Sequence, residues 1–93
     1  MAKQGGSLTA DTNAEVLSAD ETRTSLILQN ADASAVIYVE FGAAASTTST
    51  DDSMILAAAT TIILDSVTCP DIKKTVNLKS TGTPQYHVRD YAA

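Results

Sequence analysis

The clearest alternation of apolar and polar positions lies in residues 22–42, "TRTSLILQNADASAVIYVEFG". Because successive side chains of a strand point to opposite faces, this period of two predicts strands over residues 24–30 and 36–41. The five-residue link "ADASA" between them is rich in small and turn-forming residues, so we expect the two strands to form a β-hairpin. The faces expected to point outward hold Arg23, Ser25, Ile27 and Gln29 in the first strand and Val36, Tyr38 and Glu40 in the second.

Shorter runs extend the same pattern along the chain. Residues 14–18 predict a first strand, and "TVNLKS" and "QYHVRDY" predict the last two. Residues 54–64 fit either two strands around "AAAT" or one amphipathic helix, and the β-branched block at residues 60–63 favours strands. The sequence therefore predicts an all-β fold, a compact antiparallel sandwich or jelly-roll-like barrel of about six to seven short strands. Its expected core is Leu26, Leu28, Ile37, Val39, Phe41, Ile62, Leu64, Val76, Leu78, Tyr86 and Val88.

The first 13 residues, "MAKQGGSLTADTN", are polar and contain two glycines. This composition predicts a flexible N-terminal arm over residues 1–13 and a single β domain over residues 14–93. The outward apolar residues of the expected hairpin are either covered by a second sheet or form a subunit interface, and the sequence leaves both open. The predicted contact surface comprises Lys3, Gln4 and Leu8 in the arm and Ile27, Val36 and Tyr38 in the hairpin.

Charge narrows the classes of partner. The chain has 93 residues, a formal net charge of −5 and only six Lys and Arg residues. Nucleic acid and anionic membranes require clustered basic side chains, so neither is an expected partner. The N-terminus lacks the apolar run of a signal peptide, and no segment reaches the length of a membrane span, which predicts synthesis in the cytoplasm without export by that route. A single cysteine, Cys69, excludes an internal disulfide, and we interpret it as a buried, inert thiol.

Candidate catalytic chemistry is sparse. His87 is the only histidine, and no nucleophile stands at a recognisable spacing from it, so we interpret it as a surface or interface residue. Asp51 and Asp52 are adjacent in a Ser/Thr-rich loop without the spacing of a calcium site, and the glycines of "QGGS" lack the flanking elements of a phosphate loop. The sequence therefore predicts a protein that is not an enzyme and that uses no cofactor or metal.

"RTSLILQN", a short polar break and "VIYVEFG" together resemble a pattern in small virion proteins of tailed bacteriophages. In that pattern an Arg precedes an apolar strand that ends in Gln-Asn, and a Tyr-containing strand ends in Phe-Gly. The corresponding parts here are residues 23–30 and 36–42, followed by the apolar segment 54–64 and the closing segment 85–91. The resemblance covers most of the chain after residue 20.

The resemblance implies a structural virion protein, most specifically a capsid decoration (cement) protein. Such a protein is expected to form a homotrimer, to bind the major capsid protein and to lie on the outer capsid surface. The alternative is a head-fibre or tail-associated module that binds a host surface glycan, which would need an exposed aromatic side chain beside polar groups. If the arm binds the capsid, deletion of residues 1–13 is expected to weaken binding and leave the β domain folded.

Overall fold

The computed structural model describes residues 3–46 and 53–92, and these form eight strands in two antiparallel sheets. Sheet A has the strand order β1-β8-β3-β6 and sheet B the order β2-β7-β4-β5. The sheets pack together as a sandwich, which confirms the all-β prediction. The strands are β1 (Lys3–Ser7), β2 (Ala14–Leu17), β3 (Arg23–Asn30), β4 (Ile37–Phe41), β5 (Met54–Leu56), β6 (Thr61–Asp65), β7 (Val76–Lys79) and β8 (Gln85–Ala92), and a 3-10 helix spans Pro70–Lys73.

The predicted hairpin between β3 and β4 is wrong. β3 pairs with β6 and β8 in sheet A, whereas β4 pairs with β5 and β7 in sheet B. The link between β3 and β4 therefore crosses from one sheet to the other, and so does the link between β5 and β6. Both strands have an apolar inner face in either arrangement, so the alternation of residues gives no information about which strands pair.

The Asn30 side chain and one backbone bond hold these two crossing links side by side. The Asn30 amide Nδ2 donates to the carbonyl oxygens of Ala35 (2.8 Å) and Leu56 (3.1 Å), and its Oδ1 accepts from the Asp32 N–H (3.0 Å). The Ala59 N–H donates to the Asp32 carbonyl (2.9 Å). Asn30 is fully buried, so these bonds satisfy its polar atoms and fix where the chain leaves sheet A.

The core lies between the two sheets and contains most of the expected residues. Eight of them are buried, namely Leu26, Leu28, Ile37, Val39, Val76, Leu78, Tyr86 and Val88, whereas Phe41, Ile62 and Leu64 are half-buried and pack against the others. The expected core lacks five residues that are buried in the same cluster, namely Leu8, Val16, Leu17, Leu56 and Ile72. Val16 and Leu17 are adjacent in sequence, and the register shift between Glu15 and Leu17 on β2 allows both side chains to be buried.

The expected N-terminal arm belongs to the sandwich in its described part. β1 pairs with β8 over five residues at the edge of sheet A. Leu8, predicted as a contact residue, is only 3% exposed and forms part of the core. Its N–H donates to the Pro84 carbonyl (2.9 Å), and the Asp11 N–H donates to the Ser80 carbonyl (2.8 Å). The boundary predicted at residue 13 therefore does not separate an arm from the described domain.

Arg23, predicted on the outer face, is buried between the sheets. A register shift between Arg23 and Ser25 in the pairing of β3 with β8 turns its side chain inward. Its Nε donates to the Asp90 carboxylate (2.6 Å), Nη1 to the Ile72 (2.6 Å) and Lys74 (3.2 Å) carbonyls, and Nη2 to the Ser18 carbonyl (2.9 Å). One guanidinium thus joins β3 to β8, to the 3-10 helix and to the turn after β2.

Candidate interaction surface

The outer face of sheet A combines polar, cationic and apolar side chains. β8 alternates strictly, so Tyr86 and Val88 point to the core while His87 and Arg89 point outward, as the sequence predicts. Across the sheet, Arg89 pairs with Ile27 and His87 pairs with Gln29 on β3. Because residues opposite each other on adjacent strands have neighbouring side chains, these four form a contiguous surface.

A groove of about 630 Å³ runs over this face, and its lining includes Gly5, Ile27, Gln29, Thr61, His87 and Arg89. Gly5 pairs with His87, and a Cβ atom at Gly5 would lie 2.8 Å from the His87 Nδ1. The absence of that atom lets the imidazole lie against the backbone of β1. The groove therefore presents the His87 imidazole, the Gln29 amide, the Thr61 hydroxyl and the Arg89 guanidinium beside the apolar side chain of Ile27.

Arg89 is the charged residue that lines the groove, although the chain as a whole is acidic. The chain carries a net charge of −5, yet Arg89 is exposed and takes no part in either ion pair of the described residues. The other arginine, Arg23, is buried against Asp90. A guanidinium binds carboxylates through two parallel hydrogen bonds, so the groove can bind an acidic or strongly polar partner surface.

The outer face of sheet B is partly covered by the chain itself. Asn77, on β7, is buried and accepts a hydrogen bond from the Asn13 Nδ2 (3.1 Å), while the Asn13 Oδ1 accepts from the Ala45 N–H (2.8 Å). The segment after β4 therefore lies over this part of the sheet. Beyond it, Tyr38 pairs with Ile55 and Lys79, and Ile55 is 62% exposed.

The structure separates the residues predicted to form one contact surface. Ile27 lies on the outer face of sheet A and Tyr38 on the outer face of sheet B, so the two are on opposite sides of the molecule. Val36 lies half-buried in the link that crosses between the sheets. Lys3 and Gln4 are in β1, paired with Arg89 and Val88, and their side chains fall outside the described part. Ile27, Val36 and Tyr38 do not form one contact surface, because that prediction required β3 and β4 to pair as a hairpin.

Arg89, Gln29 and Thr61 are groove residues that the sequence analysis did not select. The alternation of β8 places Arg89 outward, and that of β3 does the same for Gln29, so the signal for two of them was present. Their proximity was not visible because it depends on the pairing of β3 with both β8 and β6. His87 is exposed in this groove, which confirms its interpretation as a surface residue.

Three carboxylates close turns rather than form a reactive cluster. Hydrogen bonds from Thr22 lower the pKa of Asp20, those from Ala35 and Ser34 lower the pKa of Asp32, and those from Thr68 and Val67 lower the pKa of Asp65.

Other candidate chemistry is limited in the described structure. Within residues 3–46 and 53–92, no three His, Cys, Asp or Glu side chains come together as a metal site. No helix in the described ranges has the length and apolar character to cross a membrane. The Asp51-Asp52 pair lies outside the described residues. Cys69 is half-buried against the core, which is less burial than the sequence predicts.

Comparison with known proteins identifies no relative of this chain. No protein family model, curated protein or solved structure matches the chain significantly.

Proposed function

We propose that this protein is a structural component of a bacteriophage virion and binds the outer surface of the capsid through the groove on sheet A. It acts as a bound module and not as a catalyst. The proposal starts from the resemblance of residues 23–30 and 36–42 to small virion proteins. The single observation on which the binding face rests is that exposed Arg89 lies beside Ile27 in a groove, on a chain that is otherwise acidic.

Several residues of the segments that resemble virion proteins hold the fold together. This supports the interpretation that the resemblance reflects a shared fold. Arg23 and Asn30, at the two ends of β3, are buried and bonded to several parts of the chain. Gly42, which follows β4, has a φ of +80°, a conformation that favours glycine, and its N–H donates to the Thr75 carbonyl (2.9 Å). Chains that share this fold are expected to share the residues that hold it together, such as Arg23, Asn30 and Gly42.

A rigid sandwich is suited to this task. Every buried side-chain nitrogen or oxygen of the described residues has a hydrogen-bond partner. The interior that supports the two outer faces is therefore fully hydrogen-bonded. A capsid repeats its binding site many times, and an affinity that is modest for one contact is multiplied when several copies are joined. A net charge of −5 limits aggregation of a protein that is displayed at high density.

The test is co-sedimentation of purified protein with capsids stripped of surface proteins. Arg89→Glu reverses the charge in the groove and is expected to weaken binding at least tenfold, because two like charges replace an attractive pair at the contact. Lys79→Glu makes the same change in charge on the outer face of sheet B and is expected to bind like the unmodified protein. Equal binding by both variants and the unmodified protein would reject this groove as the capsid-binding face.

One observation favours binding of a host glycan as a second candidate function. Tyr91 is 41% exposed on β8, two residues beyond Arg89 and therefore on the same outer face. Tyr91 pairs with Ser25 on β3 and shares the outer face of sheet A with the amide of Gln29 and the hydroxyl of Thr61. An exposed aromatic ring on such a polar face has the composition that a sugar-binding surface needs. Polysaccharide binding that is lost in Tyr91→Ala and kept in Tyr38→Ala would favour this function over capsid decoration.

A further inference from the structure

The outer edge of β6 carries backbone groups that point away from the molecule. At the two ends of the β3–β6 pair, the Asn30 N–H donates to the Thr60 carbonyl (2.9 Å) and the Ser66 N–H to the Thr24 carbonyl (3.0 Å). Bonded positions alternate along an antiparallel pair. With the observed register, Ile62 and Leu64 direct their N–H and C=O groups toward β3, so Thr61, Ile63 and Asp65 direct theirs outward.

Few described groups compete for this edge. The Asp65 carbonyl accepts a bond from the Cys69 N–H (2.9 Å). Backbone bonds outside the strand pairs involve neither Thr61 nor Ile63 in the described part of the chain. The edge therefore presents both backbone groups of Thr61 and Ile63 and the N–H of Asp65 to a further strand.

The other three edges of the sandwich have features that discourage pairing. β1 contains Gly5 and Gly6, β2 has four residues with a register shift in its pairing, and β5 has only three residues. Short strands and bulges are common means of protecting sheet edges, and glycine weakens a strand. β6 has five residues, "TIILD", without Pro, Lys or Gly, and its register with β3 is regular. It is the edge best suited to accept another strand.

The sequence of β6 is complementary to itself in an antiparallel arrangement centred on Ile63. Ile63 then faces Ile63 of the second copy, Ile62 faces Leu64, and Thr61 faces Asp65. The only charged residue, Asp65, meets a hydroxyl and not a second carboxylate. Ile63 is 72% exposed, and Ile62 and Leu64 are only half-buried although they point toward the core, so a strand added here would cover all three.

We propose that β6 pairs with β6 of a second copy of this chain about a two-fold axis and joins the two A sheets into one continuous sheet. The occupant is a second copy because this pairing satisfies the outward groups of both strands and brings no like charges together. The inference goes beyond the proposed function and does not depend on it. It gives a dimer in place of the trimer that the resemblance implies.

The test is the solution mass of the full chain over a concentration series, measured by sedimentation equilibrium. The unmodified protein is expected at twice the chain mass of 9.7 kDa. Ile63→Lys places a charge at the centre of the pairing and is expected to give a monomer with an unchanged circular dichroism spectrum. Ile55→Lys is the matched control, because Ile55 is also a well-exposed isoleucine in an edge strand, and it is expected to remain a dimer.

Amide hydrogen exchange on the unmodified protein keeps the proposal testable even if a variant fails to fold. The amides of Thr61, Ile63 and Asp65 are expected to exchange slowly at high concentration and faster on dilution, because only the second copy protects them. A monomer or a trimer of the unmodified protein, equal effects of the two lysine substitutions, or fast exchange of these three amides in a dimer would each overturn the proposal.

Discussion

Arg23 shows how much one residue contributes to this fold. The Arg23 side chain is 2% exposed, and the bonds of its guanidinium reach β8, the 3-10 helix and the turn after β2. Burying a charge is costly unless it is paired and hydrogen-bonded, and here the Asp90 carboxylate and the backbone carbonyls meet both conditions. Removal of one partner leaves the other charge buried without compensation.

Asp90→Ala is therefore expected to lower the free energy of unfolding by about 3–5 kcal/mol. The control is Asp71→Ala, which removes the partner of an exposed ion pair with Lys74 (3.2 Å) and is expected to cost about 0–1 kcal/mol. Urea denaturation monitored by circular dichroism measures both. A loss in Asp90→Ala no larger than that in Asp71→Ala would show that the buried pair has no special importance for stability.

The position of Arg23 could not be predicted from the alternation of its own strand. Strict alternation from Leu26 and Leu28 places Arg23 outward, and the sequence carries no signal for the register shift that reverses it. Arg89 lies opposite Ile27, where the same pairing is regular, and is placed correctly by the same reasoning. Alternation thus predicts orientation well only where the ladder is regular.

At the scale of elements, the sequence predicts the strands better than their partners. The segments expected around residues 24–30, 36–41 and 85–91 are strands at nearly those bounds. Their pairing depends on the links, and the composition of "ADASA" predicts a hairpin turn. In the structure Asp32 fixes that link locally, because its carboxylate accepts the N–H groups of Ala35 (2.7 Å) and Ser34 (3.0 Å). Such a bond forms equally well in a turn within one sheet or between two.

The Asp32 bonds predict a pH dependence of stability. The N–H groups of Ala35 and Ser34 favour the charged carboxylate and hold its pKa below the ordinary value of 3.8. A lowered pKa in the folded state stabilises the protein above the pKa of the unfolded state, and this contribution is lost as the pH falls through the folded value. Asp32→Ala is therefore expected to be less stable than the unmodified protein at neutral pH, with a difference that shrinks below about pH 3.8.

The measurement for Asp32 is urea denaturation of both proteins across the acid range. Asp32→Asn provides the control, because an amide oxygen can accept the same two bonds and does not titrate there. Its difference in stability from Asp32→Ala is expected to stay nearly constant with pH. A difference between the unmodified protein and Asp32→Ala that does not change on acidification would contradict this role of the charged carboxylate.

At the scale of the whole molecule, the sequence predicts an all-β sandwich but assigns its N-terminus incorrectly. Polar composition and glycines made residues 1–13 resemble a flexible arm, yet edge strands are often polar and need only one neighbour. β1 obtains its hydrogen bonds from β8, and Leu8, directly after β1, is buried in the core. The sequence likewise does not predict which residues share an outer face of the sandwich, because this depends on which strands share a sheet.

This position of the N-terminus reverses the expected result of truncation. Deletion of residues 1–13 removes the pairing of β1 with β8 and the buried Leu8, so it is expected to lower the free energy of unfolding by several kcal/mol or to prevent folding. Leu8→Ala isolates the contribution of the core and is expected to cost about 2–5 kcal/mol.

Removal of only residues 1 and 2 leaves β1 in place, so that protein is expected to keep the pairing of β1 with β8. Thermal and urea unfolding of the three proteins decides between an integral strand and a dispensable arm. Full stability after removal of 13 residues would show that β1 adds nothing to the stability of the sandwich.

Loss of capsid binding by the protein that lacks residues 1–13 is informative only if that protein remains folded, because unfolding destroys the groove on sheet A as well. The substitution at Arg89, which leaves the core and β1 unchanged, is therefore the sharper test of capsid binding.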